Sequence, residues 1–232
     1  MNLDEFKSEV NKLGVPVTEK EINLLEKYYN LLIEYNEKIN LTAITEKKDV
    51  YLKHFYDSLT LVKAIDFAKI ESMCDIGTGA GFPGIVIKIF YPNIKLTLVD
   101  ALNKRINFLK EVVFELGLND VNLVHARAED YAKDNREMFD LVTARAVAKL
   151  SILMEYSMPM VKINKFFVAM KGQDDISVSN RVLDVLSSKL EKVICFELPK
   201  EAGTRNLVLI KRVGDISLKY PRKYADMKKK PL

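Results

Sequence analysis

The sequence predicts an α/β fold: a mostly parallel, seven-stranded sheet with helices on both faces, preceded by a helical extension. Three observations carry that prediction. After Lys69 the chain alternates short apolar runs with segments of helical periodicity, the pattern of strands joined by crossover helices. Four of the nine glycines (Gly77, Gly79, Gly81 and Gly84) crowd between one such run and the next helical segment. The last two apolar runs are joined by a short turn around Gly203, so a closing hairpin brings antiparallel strand into the sheet.

Taken in order, the first 69 residues read as helical. "LDEFKSEVNKL" sets Phe6, Val10 and Leu13 on one face and stops at Gly14. Thr18 and Glu21 form a capping box, and Ile22, Leu25, Tyr29 and Leu32 recur behind it at helical spacing. "NLTAITEKK" breaks the pattern, and a second helical stretch runs from about Val50 to Phe67. "ESMCDI" is then a strand. "FPGIVIKIFYP" is a helix with Pro83 in its first turn and Pro92 beyond its end. "KLTLVD" is a strand ending on Asp100. "NKRINFLKEVVFELG" is a helix with Ile106, Leu109, Val113 and Leu116 inward and Gly117 as its stop. "VNLVHA", "FDLVTARAV" and "INKFFVAMK" are strands, with helical stretches near 150–161 and 176–190. "KVICFEL" and "TRNLVLIKRV" form the hairpin. The chain thus divides into a helical extension (1–69), a sheet domain (70–214) and a basic tail (215–232).

At 232 residues, 48% hydrophobic and 29% charged, the chain has the composition of a globular protein with a sizeable core. No apolar run reaches membrane-span length, and Lys88 interrupts the best one, "GIVIKIF". The acidic N-terminus "MNLDEFKSEV" has no apolar leader segment. A cytoplasmic chain without membrane contact is expected. Cys74 and Cys195 share no metal-ligand spacing and read as buried, reduced thiols, with no metal site. The net charge of +4 is concentrated: the last fourteen residues hold six Lys/Arg and one Asp. Such a tail suits a polyanion. Lys219, Arg222, Lys223, Lys228, Lys229 and Lys230 are candidate phosphate contacts, and the interleaved Tyr220 and Tyr224 are candidates for stacking on bases.

The glycine loop follows a strand and opens a helix, where backbone N–H groups can meet a ligand. A P-loop is excluded, because Ile85 and Val86 stand where Lys and Ser/Thr are needed. Gly79, Gly81 and Gly84 fit the dinucleotide pattern G-x-G-x-x-G, and Asp100 suits ribose hydroxyls. Any adenosine-bearing cofactor presents those hydroxyls, so the loop alone leaves both classes open. Asp75, ahead of the glycines, suits a ligand with a cationic end and would repel a pyrophosphate. Here Asp75 to Gly81 resembles the first motif of the class I, Rossmann-like methyltransferases, which bind S-adenosylmethionine. Asp100, "ARAED" (126–130) and "FDLV" (139–142) resemble their later motifs.

A closer resemblance rests on pieces in one order: "NLTAI", "HFYDSL", "GAGFPG", "LNKRINFL", "RAE", "TARAVAKL", "MKG" and "YPR…KKPL". Together they resemble the RsmG, or glucose-inhibited division protein B, family of 16S ribosomal RNA guanine-N(7) methyltransferases, over nearly the whole chain. One departure is "YADMKKKPL", where that family often has a Gly-x-Pro step. The resemblance implies the seven-stranded class I methyltransferase sheet and S-adenosylmethionine as cofactor. It implies a cofactor site from Asp75, Gly77, Gly79, Gly81, Phe82, Asp100, Ala128, Glu129 and Arg145, and it moves Asn40 and His54 toward the active cleft. His125 reads as structural. The implied partner is 16S ribosomal RNA or the small ribosomal subunit, met by a monomer. Guanine nitrogen 7 has an in-plane lone pair and no proton, so no general base is needed. A cation beside the ring would oppose its gain of charge, so Arg145 is expected to anchor the cofactor carboxylate or an RNA phosphate. Two alternatives stand beside this reading. An NAD-dependent oxidoreductase predicts NADH binding and leaves the tail unused. A non-catalytic RNA-binding or ribosome-assembly factor leaves the intact glycine loop unexplained.

Overall fold

The structure, a computed structural model, describes residues 1–145, 148–173 and 176–232. Ala146 and Val147, inside "TARAVAKL", lie outside the described residues. Helix α1 (Leu3–Lys12) opens on a capping box in which Asn2 and Glu5 accept from each other's backbone N–H groups at 2.9 and 2.7 Å. Helix α2 (Glu19–Ile39) opens on the expected box of Thr18 and Glu21. It buries Ile22, Leu25, Tyr28 and Leu32. The inward tyrosine is therefore Tyr28, not Tyr29; both fit helical spacing from Leu25, and the i+3 choice wins. Asn40 ends α2 in the left-handed conformation (φ 49°), which asparagine tolerates better than most residues.

The helical stretch expected over 50–67 is composite. It starts as α3 (Lys47–Val50), widens into a π-helical stretch (Tyr51–Tyr56), returns to α4 (Asp57–Leu59) and tightens into a 3₁₀ turn (Thr60–Lys63). Phe67–Lys69 is a separate 3₁₀ turn, capped by the Asp66 carboxylate. The π-helical stretch buries Tyr51, Leu52, His54, Phe55 and Tyr56. Such widened turns recur at functional sites.

The strands are β1 (Ser72–Ile76), β2 (Lys95–Asp100), β3 (Val121–His125), β4 (Phe139–Arg145), β5 (Val161–Lys171), β6 (Ser188–Glu197) and β7 (Thr204–Arg212). Among the described residues they form one seven-stranded sheet in the order β3-β2-β1-β4-β5-β7-β6. β7 is antiparallel to both its neighbours, as the closing hairpin requires. The remaining helices are α5 (Gly84–Phe90), α6 (Asn103–Glu115), α7 (Ala128–Asp134), α8 (Leu150–Ser157), α9 (Asn180–Val185) and α10 (Tyr224–Lys229). Two helices are shorter than expected. The one near 150–161 ends at Ser157 in a 3₁₀ turn through Pro159, and β5 starts at Val161. The one near 176–190 is only α9, because Ser187 (φ 42°) turns the chain into β6.

Each sheet face has its own core. Phe6, Tyr28 and Phe55 of the helical extension join Leu98 and Leu109 on one face. Ile216 and Met227 of the tail join Leu150 and Leu153 on the other. Cys74 is buried in β1, but Cys195 is exposed on edge strand β6, correcting the expectation of two buried thiols. No described helix is long and apolar enough to cross a membrane. Strand order reverses between β1 and β4, so the crevice at their carboxyl ends is where a ligand of this sheet binds.

Candidate active site

The glycine loop floors that crevice, and its glycines divide between two roles. Gly77 (φ 65°) and Gly79 (φ 61°) hold left-handed conformations. A Cβ on Gly79 would meet only the Gly77 carbonyl oxygen, at 4.0 Å, so this side of the loop is open. Gly81 and Gly84 face the protein instead. A Cβ on Gly81 would lie 2.6 Å from Tyr28 Oη, and one on Gly84 would lie 2.4 Å from Leu98 Cδ2. Gly81, expected at the cofactor, is thus required by packing beneath the loop. Tyr28 donates its hydroxyl to the Ala80 carbonyl, and its ring lies 5.3 Å from that of Phe82.

Asp75 also lies beneath the loop, which corrects its expected contact with a cationic ligand. It is fully buried. Its Oδ2 accepts from Thr78 Oγ1 at 2.7 Å and Gly84 N at 3.0 Å, while Oδ1 has no hydrogen-bond partner among the described residues. Burial pushes the carboxyl up to about 6, against those two bonds. Asp100, at the end of β2, accepts from Gly79 N and Leu102 N, both at 2.9 Å, and from Arg105 at 3.2 Å.

Two cavities meet over this floor. One, of about 480 Å³, is lined by Thr42, His54, Gly79, Phe82 and Arg145 among others; the second, of about 280 Å³, by Ala126, Ala128, Glu129, Tyr156 and Tyr224 among others. They share Gly77, Asp100 and Ala101 and form one trough. At its polar end, Arg145 Nη1 donates to the Lys53 carbonyl (3.2 Å) and Asp57 (3.3 Å), and Nη2 lies 3.3 Å from His54 Nδ1. The guanidinium also stands 5.2 Å over the Phe82 ring. Asp57 accepts from Arg205 as well, at 3.0 Å, yet its burial outweighs both cations and raises its carboxyl. His54 stacks on Phe82 at 4.5 Å and lies 2.9 Å from Thr42 Oγ1. Burial, then Arg145, push its imidazole down to about 3, so it is neutral at physiological pH. His54 Nδ1 also lies 3.1 Å from the Lys53 carbonyl, so two neighbours make opposite demands on it: the guanidinium for a lone pair, the carbonyl for an N–H.

The structure therefore brings together Gly77, Gly79, Phe82, Asp100, Ala128, Glu129, Arg145 and His54. It leaves Asp75 and Gly81 below the floor, and it leaves Asn40 outside as an exposed helix terminus beside the lining residues Leu41 and Thr42. Lys219, Lys223, Lys228, Lys229 and Lys230 are exposed. Arg222 is corrected to an anchor: its side chain grips the buried Glu155 carboxylate at 2.7 and 2.5 Å. Tyr220 packs against the core rather than standing free. Thr42, Asp57, Leu102, Arg105 and Tyr156 escaped the sequence reading. Asp57 and Arg105 lie inside "HFYDSL" and "LNKRINFL", where a charge amid apolar residues was the available signal.

The trough suits S-adenosylmethionine. Arg145 would meet a carboxylate at one end, Asp100 a ribose diol at the junction, and an apolar pocket with the Glu129 carboxylate an adenine at the other. The open side of Gly79 leaves room for a close approach, and the unpartnered Asp75 Oδ1 lends negative potential beneath a cationic ligand. Sheet order, loop and trough together define a class I S-adenosylmethionine-dependent methyltransferase. Solved structures agree on the fold: a SAM dependent methyltransferase from Aquifex aeolicus superposes with TM-score 0.52 at 15% identity, covering 74% of this chain and 96% of its own. The precorrin-6y C5,15-methyltransferase of Geobacter metallireducens gives 0.51 at 16%, covering 75% and 91%.

The model of the family described as rRNA small subunit methyltransferase G matches residues 21–208. Proteins named ribosomal RNA small subunit methyltransferase G from Bacillus velezensis and Bacillus subtilis are 46% and 44% identical over 100% of this chain and 99% of their own lengths. The chain belongs to that family. It is a methyltransferase, and the oxidoreductase and non-catalytic alternatives fall.

Proposed function

We propose that this enzyme transfers a methyl group from S-adenosylmethionine to nitrogen 7 of a guanine in 16S ribosomal RNA. The observation that supports this best is a positioned trough with no effective base: burial and Arg145 push the His54 imidazole down to about 3, so it holds a proton too weakly to act as one. Bound S-adenosylmethionine supplies an electrophilic methyl group on a sulfonium. The protein need only orient the acceptor and exclude water, and positioning of this kind supplies about 7–11 kcal/mol. Arg145, restrained by Asp57, Lys53 and His54, is assigned to the cofactor carboxylate or an RNA phosphate. Gly77, Gly79, Phe82, Asp100, Ala128 and Glu129 are assigned to the cofactor.

The three segments share the work. The helical extension (1–69) walls the trough, the sheet domain (70–214) holds the cofactor, and the tail (215–232) meets RNA phosphates through its exposed lysines. The enzyme is assigned to the cytoplasm as a monomer without membrane contact, acting on 16S ribosomal RNA or the assembling subunit. The test is methylation of 16S RNA and of small subunits with labelled cofactor, followed by chain cleavage at 7-methylguanine. Label at one guanine supports the reading; label at another atom or base, or none, overturns it. Arg145→Ala is expected to raise KM for cofactor or RNA, and a fall in kcat alone overturns the role given to it.

A further inference from the structure

We propose that Tyr224, on the C-terminal helix, forms a wall of the adenosine half of the trough, so that docking of the basic tail and binding of the cofactor are thermodynamically linked. This rests on the methyltransferase reading. The tail is held against the sheet domain by several independent contacts. Arg222 donates to Glu155 from its backbone N (3.0 Å) and from its guanidinium (2.7 and 2.5 Å), and Glu155 is 1% exposed. Arg136 donates to the carbonyls of Tyr220 (2.7 Å) and Ile216 (2.5 Å). Met227 is fully buried in the core that includes Leu150 and Leu153.

These anchors bracket Tyr224. It lines the 280 Å³ cavity with Ala128, Glu129 and Tyr156; burial, and after it the nearby Tyr224, raises the phenol of Tyr156. Tyr224 remains 39% exposed, so a ligand in this cavity covers apolar ring that water now touches. The same helix carries Lys228 and Lys229, with Lys230 at its end, all exposed. A ligand that contacts Tyr224 favours the docked tail, and by reciprocity a tail held by RNA phosphates favours the ligand. The tail is then a charged arm whose placement reports that the cofactor is loaded.

Two measurements on the full chain test this. S-adenosylhomocysteine is titrated calorimetrically against wild type, Tyr224→Phe and Tyr224→Ala. Trypsin cleavage after Lys223, Lys228 and Lys229 is timed with and without it, with cleavage inside residues 1–69 as internal control. Alanine is expected to weaken binding on the order of tenfold, while phenylalanine keeps the wall and stays within about twofold. The ligand is expected to slow tail cleavage in wild type more than control cleavage, and not in Tyr224→Ala. Equal affinity of the alanine variant and wild type, or tail cleavage indifferent to ligand, overturns the proposal while wild-type binding keeps the methyltransferase reading. A wild type that binds no S-adenosylhomocysteine overturns both. Should Tyr224→Ala unfold, Tyr224→Leu replaces it under the same criteria.

Discussion

Asp75 and His54 titrate in opposite senses within one small volume. Unfolded histidine takes up a proton near pH 6.5, whereas folded His54 resists until about 3, so acid favours the unfolded chain and His54 costs stability as pH falls through that window. Folded Asp75 keeps its proton up to about 6, whereas the unfolded residue loses it near 3.8, so Asp75 costs stability as pH rises from about 4 to 6. The two dependences offset each other. Asp75→Asn removes the second, and its urea midpoint is expected to climb more steeply with pH between 4 and 6 than that of wild type; parallel curves would refute the buried carboxyl. The glycines offer a second test at this scale. Gly84→Ala drives a methyl into Leu98 and Asp75 and is expected to cost about 2 kcal/mol of stability. Gly79→Ala costs roughly 1 kcal/mol for its left-handed backbone but points its methyl toward the trough, so cofactor affinity falls more than stability does. Equal profiles for the two variants would show that the loop's two sides are not distinct. The sequence made the loop legible but not these roles, because D-x-G-x-G-x-G fixes backbone shape without saying which groups face the ligand.

Between α2 and the π-helical stretch, packing replaces sequence motif as the device that sets the site. Tyr28 ties α2 to the loop through the Ala80 carbonyl, and its ring forms a three-membered cluster with Phe55 (5.6 Å) and Phe82 (5.3 Å), which are themselves 6.0 Å apart. Tyr28→Phe keeps the ring and deletes the hydrogen bond. It is expected to cost about 1 kcal/mol in unfolding free energy and to weaken S-adenosylhomocysteine binding, because Ala80 and Phe82 both line the trough. Unchanged binding in calorimetry would show that the loop holds its shape without α2. This element-scale logic was partly legible. The capping box at Thr18 and the helical periodicity placed α2, but one residue's rotation decided between Tyr28 and Tyr29. Period 3.6 leaves i+3 and i+4 degenerate until a partner surface chooses. The π-helical stretch left no signal, since apolar spacing over six residues does not separate a widened turn from an ordinary one. Helix α9 was overextended for the converse reason: apolar spacing near 176–190 serves both a short helix and the first residues of β6.

Over the whole molecule, charge and cofactor chemistry sit on one side of a division that composition already showed. The last fourteen residues, six Lys/Arg against one Asp, carry more than the chain's net charge of +4, and the structure folds that segment onto the face beside the 280 Å³ cavity. Removing one of its six cations, Arg222, from the RNA-binding set follows from the bonds to Glu155; sequence could not separate an anchoring arginine from a phosphate-seeking one. The exposed lysines remain, and each that meets a phosphate releases counterion. Replacing Lys228, Lys229 and Lys230 with alanine is therefore expected to weaken binding to 16S RNA. It should also flatten the plot of log affinity against log salt by about 2, three contacts at roughly 0.7 each on single-stranded RNA. Binding of S-adenosylhomocysteine in the absence of RNA should stay close to wild type, since the alanines leave Tyr224, Arg222 and Met227 in place. Arg222→Ala should differ in kind: it frees the tail from buried Glu155, so it lowers thermal stability and affects cofactor binding as well as RNA binding. A lysine triple variant with an unchanged salt slope would move the RNA surface off these three lysines.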